Sequence, residues 1–208
     1  ATGARPVDWL YDHARVDGRW CLVHATHVTV DERRRIAQSG AVAGLCPVTE
    51  ANLGDGIFPA EAFMAEGGCF GIGTDSHVSI GVAEELRLLE YGQRLVSGRR
   101  TVLSGGAGRS TGETLYLTAA GGGARALGIE AGRIAPGARA DIVVLDAADA
   151  SMIGRRPDSV LDGWIFAGNR PLVTDVFAGG RHVVAGGRHL HEDAIARRFR
   201  AALERLHA

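Results

Sequence analysis

The segment Cys69-Phe70-Gly71-Ile72-Gly73-Thr74-Asp75-Ser76-His77 is an apolar run that stops on a carboxylate, with a histidine two positions further on. Trp20-Cys21-Leu22-Val23-His24 has the same form and ends on an imidazole. Short apolar runs of this kind suit strands buried on both faces, as in a parallel sheet. In an α/β barrel, polar residues at the C-terminal ends of such strands lie at the mouth, where the chemistry is done. Two strands that each deliver a titratable group to one edge make half of a metal or acid/base site. The plainer reading is a pair of strand-end polar residues satisfied by their surroundings. His77 either points into the same mouth, where it could touch substrate, or caps its loop. His27, three positions after His24, is a weaker candidate for a functional group, and Glu50 and Asn52, in the loop after the apolar run 41–46, are weaker candidates for lining the pocket.

These groups need a frame of alternating strands and helices. Residues 6–16 read as a short helix with Pro6 near its first turn. Strand-like 20–23 is followed by a helix over 31–39 that Gly40 stops. The next apolar run, 41–46, ends at Pro47, and a loop through Asn52, Gly54, Asp55 and Gly56 leads to a helix near 59–66. After the Cys69 strand comes a helix over 82–95. Strands beginning near 20, 41 and 69 have the spacing of β/α units, so the first hundred or so residues hold about three of them. Ser110 and Glu113 have capping-box spacing, which makes glycine-rich 104–112 a loop feeding a helix over 113–127. That loop lacks the lysine and the frame of a phosphate loop. Gly121-Gly122-Gly123 should weaken the helix by roughly 1 kcal/mol per glycine relative to alanine.

Beyond Gly128 the texture changes. Ile142-Val143-Val144-Leu145 is a strand, and the repeated Gly-Gly-Arg-His at 179–182 and 186–189 marks two turns of a β-meander. His182 and His189 are expected to be exposed turn residues rather than ligands. A final helix places Ile195, Phe199, Ala202, Leu203 and Leu206 on one face. The expected organisation is 1–127 as one α/β unit, 128–190 as a β-strand domain and 191–208 as a C-terminal helix.

Composition narrows the function class. The 208 residues are 46% hydrophobic and 23% charged, enough to bury a substantial core. A net charge of -1, with no basic block, argues against a nucleic-acid partner. No apolar run approaches the roughly 20 residues that cross a bilayer, and no signal peptide is visible. Cys21, Cys46 and Cys69 each sit in an apolar run and are too far apart for a CxxC-type site. An odd number of thiols, all expected in the core, fits a reducing, cytoplasmic compartment. All 23 basic side chains other than histidine are arginine, so Schiff-base chemistry by this chain is excluded.

Four blocks occur in order: Leu22-Val23-His24-Ala25-Thr26-His27, the run from Cys46 to Gly56, Gly71-Ile72-Gly73-Thr74-Asp75-Ser76-His77, and the helix from Glu84 to Leu95. Together they resemble the amidohydrolase superfamily and, within it, the formimidoylglutamate deiminases of histidine degradation. Residues 132–146 resemble the return into that superfamily's small β-domain. The resemblance implies an α/β fold, the C-terminal portion of a (β/α)8 barrel of the TIM type plus part of a small β-sandwich domain. It makes His24 the histidine that ends the sixth barrel strand and Asp75 the aspartate that ends the eighth. Asp75 would bind a single Zn2+ and accept a proton from its water, and His24 would polarise that water or stabilise the tetrahedral centre. The other metal ligands, the general acid/base glutamate and the groups that grip the substrate are expected to precede Ala1. The chain is therefore expected to supply part of a site, completed by an N-terminal half of the same protein, to be inactive on its own and to form a homodimer when complete. Another deaminase or a chlorohydrolase of the superfamily, or a non-catalytic fragment, are the competing expectations.

Overall fold

The computed structural model describes residues 3–207. Helix α1 (Pro6–His13) leads to strand β1 (Cys21–Val23), helix α2 (Val30–Ser39) and strand β2 (Val42–Leu45). Helices α3 (Pro47–Leu53) and α4 (Ala60–Ala65), strand β3 (Cys69–Ile72) and helix α5 (Val82–Ser97) follow. The three strands form one parallel sheet in the order β1-β2-β3, with Val23 opposite Gly44 and Gly44 opposite Gly71. All three run the same way, so their C-terminal ends share one edge.

Local signals explain most boundaries. Thr29 and Glu32 form a reciprocal capping box at the start of α2, and Gly40 ends that helix in the left-handed region at φ 74°. Pro47 does more than end β2: it is the first residue of α3, where a missing N–H costs nothing. A helix thus stands where the sequence suggested only a loop.

The core lies between the sheet and its helices. It is built from Ile36, Leu45, Phe58, Phe63, Phe70 and Leu86, each at most 1% exposed. Helix α6 (Thr111–Leu127) crosses directly over β3. Its glycines permit this approach: a Cβ on Gly122 would lie 1.9 Å from the Phe70 carbonyl oxygen, and one on Gly71 would lie 3.1 Å from the Gly123 nitrogen. What reads in the sequence as a weakness of the helix is the means of its packing.

Not every strand is buried as expected. β1 is largely exposed, and Cys21 on it is exposed, because no strand lies on its outer edge among the described residues. Cys69 is half-buried, and of the three thiols only Cys46 is fully in the core.

The second sheet is antiparallel, in the order β4 (Ile142–Leu145), β5 (Val173–Ala178), β6 (Arg181–Ala185), β7 (Arg188–His189). Gly179-Gly180 and Gly186-Gly187 make the two expected tight turns, all four with positive φ as a type I′ hairpin needs. His182 is on strand β6 rather than in the turn: exposed, it stacks on Phe177 and bonds Asp175 at 2.8 Å. Between β4 and β5 the chain makes a 3-10 turn (Pro157–Ser159) and helix α7 (Val160–Phe166), neither anticipated from the sequence. α7 packs on α5 and α6, and the Asp162 carboxylate accepts the Gly112 N–H at 2.7 Å. Helix α8 (Glu192–His207) ends the chain with its apolar stripe exposed. Among the described residues no helix is long and apolar enough to cross a membrane.

Candidate active site

The shared edge of the parallel sheet is where the titratable groups gather. The ladder continues one step past β1, with the His24 N–H donating to the Gly44 carbonyl at 2.8 Å, and past β3, with the Gly73 N–H donating to Leu45 at 2.9 Å. The chain then turns sharply in both places. The Ala25 N–H reaches back to the Val23 carbonyl at 2.9 Å, closing a three-residue turn centred on His24 at φ 64°. This is the rare γ-turn of positive φ. Asp75 has φ 50°, and only four non-glycine residues among those described have positive φ. Left-handed backbone costs an L-residue free energy, and such strain gathers where a side chain must be aimed.

These turns bring His24 and Asp75 together. The imidazole Nε2 lies 3.8 Å from Asp75 Oδ2, beyond hydrogen-bond range, so the two present separate polar atoms to one spot. Both are partly open to solvent, His24 at 35% and Asp75 at 43% of the side chain. On its other side, His24 Nδ1 lies 3.2 Å from Glu50 Oε1. Glu50 is buried, and the same oxygen accepts the Cys46 N–H at 2.9 Å. Glu50 is thus behind His24 rather than lining the mouth. Its signal in the sequence is faint but physical: a glutamate three residues after Pro47 can reach back to the N-cap N–H of a new helix.

His77 is held firmly beside this pair. Its N–H donates to Thr49 Oγ1 at 3.2 Å, and the Thr49 hydroxyl donates to the Thr74 carbonyl at 2.7 Å. The His77 Nδ1 accepts the Ser79 N–H at 3.0 Å, so the ring caps its own loop. His27 and Asn52 are exposed, and neither side chain bonds to the cluster.

A group the sequence did not single out completes the surroundings. Glu85 on α5 is fully buried; its Oε2 accepts the Val48 N–H at 2.9 Å and its Oε1 has no partner among the described residues. Burial pushes its carboxyl above the ordinary range; the Val48 N–H opposes this, and the nearby Glu50 and Glu84 carboxylates add to it. Burial, with the carboxylates of Glu50, Asp75 and Glu85, pushes the Cys46 thiol up to about 11, so this cysteine is a packed side chain and not a nucleophile.

Among the described residues no group of three His, Cys, Asp or Glu side chains is placed to hold a metal ion. Asp75 nevertheless suits one ligand position. Its carboxylate is exposed at the edge, has only His24 within ion-pair range among the described residues, and is a donor type that zinc accepts. The donor set present is a fraction of a zinc site.

Residues 3–183 match the amidohydrolase family. The chain is 54% identical over 198 residues to a formimidoylglutamate deiminase of Pseudomonas aeruginosa, covering 95% of this chain and 44% of that protein. Its structure superposes on that of an amidohydrolase from Brucella melitensis with a TM-score of 0.92 and 51% identity, covering 100% of this chain and 45% of the other. It also superposes on an adenosine deaminase from Xanthomonas campestris with bound zinc, at a TM-score of 0.82 and 28% identity, covering 98% of this chain and 46% of the other. The chain therefore spans less than half the length of these relatives.

Proposed function

The chain belongs to the amidohydrolase family, and we propose that it supplies the C-terminal part of a zinc-dependent formimidoylglutamate deiminase. The reaction is hydrolysis of N-formimidoyl-L-glutamate to N-formyl-L-glutamate and ammonia. The observation that carries this reading is the convergence of His24 and Asp75 on one sheet edge, 3.8 Å apart, in a chain so similar to the Pseudomonas protein. On this reading residues 1–127 are the last three β/α units of a (β/α)8 barrel with the following helix. Residues 128–190 are the small β-domain, and 191–208 are its closing helix.

The chemistry assigns each group a task. Water adds to the formimidoyl carbon, the C–N bond to the terminal nitrogen breaks, and both protons of the water end on the departing nitrogen as ammonia. Asp75 would be one zinc ligand among others contributed from outside this chain; zinc, when bound, lowers the pKa of water at the site toward about 7. The second oxygen of Asp75 takes a proton from the attacking water and can pass it on to the leaving nitrogen. His24, beside it, holds the water or the developing charge without ligating metal. His77 is a candidate contact to the substrate.

The test is an assay of the full-length, zinc-loaded protein on N-formimidoyl-L-glutamate, following ammonia and formylglutamate together. Turnover of this substrate, with none of adenosine or a chlorotriazine, supports the reading. Turnover of a ring substrate alone sinks it in favour of another deaminase or a chlorohydrolase.

A further inference from the structure

We propose that Glu50 is a positioning residue that fixes the tautomer of His24 and thereby decides what His24 can do to the attacking water. The inference rests on the reading of His24 as a site residue and extends it to a group with no contact to substrate.

The argument is one of donors and acceptors. Glu50 Oε1 already accepts the Cys46 N–H at 2.9 Å, so it is the acceptor oxygen of this contact. His24 Nδ1, 3.2 Å from Glu50 Oε1, must therefore carry the proton of that bond. A neutral imidazole has one N–H, so Nε2 then carries a lone pair, and Nε2 is the atom that faces Asp75 at the open edge. In its neutral form His24 thus presents an acceptor to the mouth. It can take a hydrogen bond from the attacking water and hold one of its lone pairs toward the substrate carbon. The neutral ring cannot donate to a developing negative charge there. Of the two roles open to a histidine at this position, the Glu50 contact selects the first whenever the ring is neutral.

Glu50 is built for this. Its side chain is buried at 4% exposure, and the same Oε1 is pinned by the Cys46 N–H at 2.9 Å. Cys46 is the N-cap of α3, so the carboxylate is fixed to the backbone that joins β2 to α3. The γ-turn at His24 fixes the other end of the contact. One oxygen thus ties the strained strand end of β1 to the helix start after β2. An imidazole oriented by a buried carboxylate on one nitrogen has its working nitrogen set by the other, and losing such a partner costs on the order of 10- to 100-fold in function.

The test reads the tautomer directly and needs no substrate. In full-length, zinc-loaded protein with 15N-labelled histidine, the His24 ring signals are identified by their loss in His24→Asn, at a pH where the ring is neutral. The expected pattern is Nδ1–H with bare Nε2. Glu50→Gln should keep it, because one amide oxygen can accept both bonds that Oε1 accepts now. Glu50→Ala should lose it, with kcat lowered about 10- to 100-fold and KM changed far less. The double variant Glu50→Ala/His24→Asn should be no slower than His24→Asn alone, since a residue acting through His24 has nothing left to act on. An Nε2–H pattern in the unsubstituted protein overturns the proposal whether or not a Glu50 variant folds. Additive losses in the double variant overturn it too, leaving Glu50 a merely structural residue. If the tautomer is as expected but N-formimidoyl-L-glutamate is not turned over, the positioning role stands and the substrate assignment falls.

Discussion

Glu85 and Val48 are joined by a bond that satisfies only half of a carboxylate: Oε2 accepts the Val48 N–H at 2.9 Å, while Oε1 is buried with no partner among the described residues. The bond secures the first turn of α3, the helix that carries Glu50 and Thr49 to the sheet edge. The orphan oxygen makes a charge at this position unfavourable, and burial accordingly lifts the carboxyl above its ordinary value of 4.5.

A stability difference with a definite sign follows. Between 4.5 and the raised folded value, the folded state holds more protons than the unfolded one, so stability falls as pH rises through that window. Glu85→Gln keeps an acceptor for Val48 and has no charge to bury. Its stability relative to the unsubstituted protein should grow as pH rises through the window and level off above it, offset at every pH by about 1–3 kcal/mol for the amide N–H that finds no partner where Oε1 was. Urea unfolding from about pH 4 to pH 8 measures it. A stability difference that does not change with pH across this range would mean that the carboxyl is not raised in the folded protein.

The glycines of α6 separate packing from propensity. A Cβ at Gly122 meets the Phe70 carbonyl at 1.9 Å, whereas one at Gly121 meets nothing within 4 Å. Gly122→Ala must push α6 off β3 and should cost about 1–3 kcal/mol, the scale of overpacking a tight contact. Gly121→Ala gains helix propensity with no clash and should stabilise by up to about 1 kcal/mol. Thermal melts of the two variants should therefore move in opposite directions. Equal shifts would show that α6 is not in close contact with the strand.

The strands and their polar ends were legible in the sequence because apolar runs closing on His24 and Asp75 need no partner to be read. The Gly-Gly turns of the meander were legible for the same local reason. Helix α3 was not: seven residues are too few to show a period, and Pro47 ends a strand as readily as it opens a helix. Glu85 was invisible beside Glu84, since adjacent glutamates on a helix are told apart only by which face meets α3. The exposure of Cys21 depends on what lies beyond β1, and Glu50 was legible as a loop residue but not as the buried partner of His24. What a residue's own neighbours in sequence dictate could be read; what a neighbour in space dictates could not.

Zinc affinity should depend on ligands this chain does not provide. A catalytic zinc usually takes three protein ligands, and Asp75 is the one assigned here. The isolated 208-residue chain should lose zinc on dialysis and release no ammonia, as measured by metal analysis on mass-verified material. Stoichiometric zinc that survives dialysis would place the ligands elsewhere.

In the full-length protein, Asp75 and His24 should separate by metal content. Asp75 is assigned as both ligand and proton acceptor. Asp75→Asn keeps an oxygen but no charge and cannot take a proton, so zinc content should fall and turnover should be abolished. His24 is assigned to act on the water without ligating metal. His24→Asn should keep zinc near full occupancy while kcat falls by about 10² or more, the scale for losing one acid/base or transition-state contact. Added zinc should restore nothing in His24→Asn. The measurement is zinc per chain beside kcat for each variant. If zinc falls as far in His24→Asn as in Asp75→Asn, then His24 is a ligand and its lone pair at Nε2 is spent on metal rather than water. If both variants keep full activity, the chemistry lies away from this sheet edge.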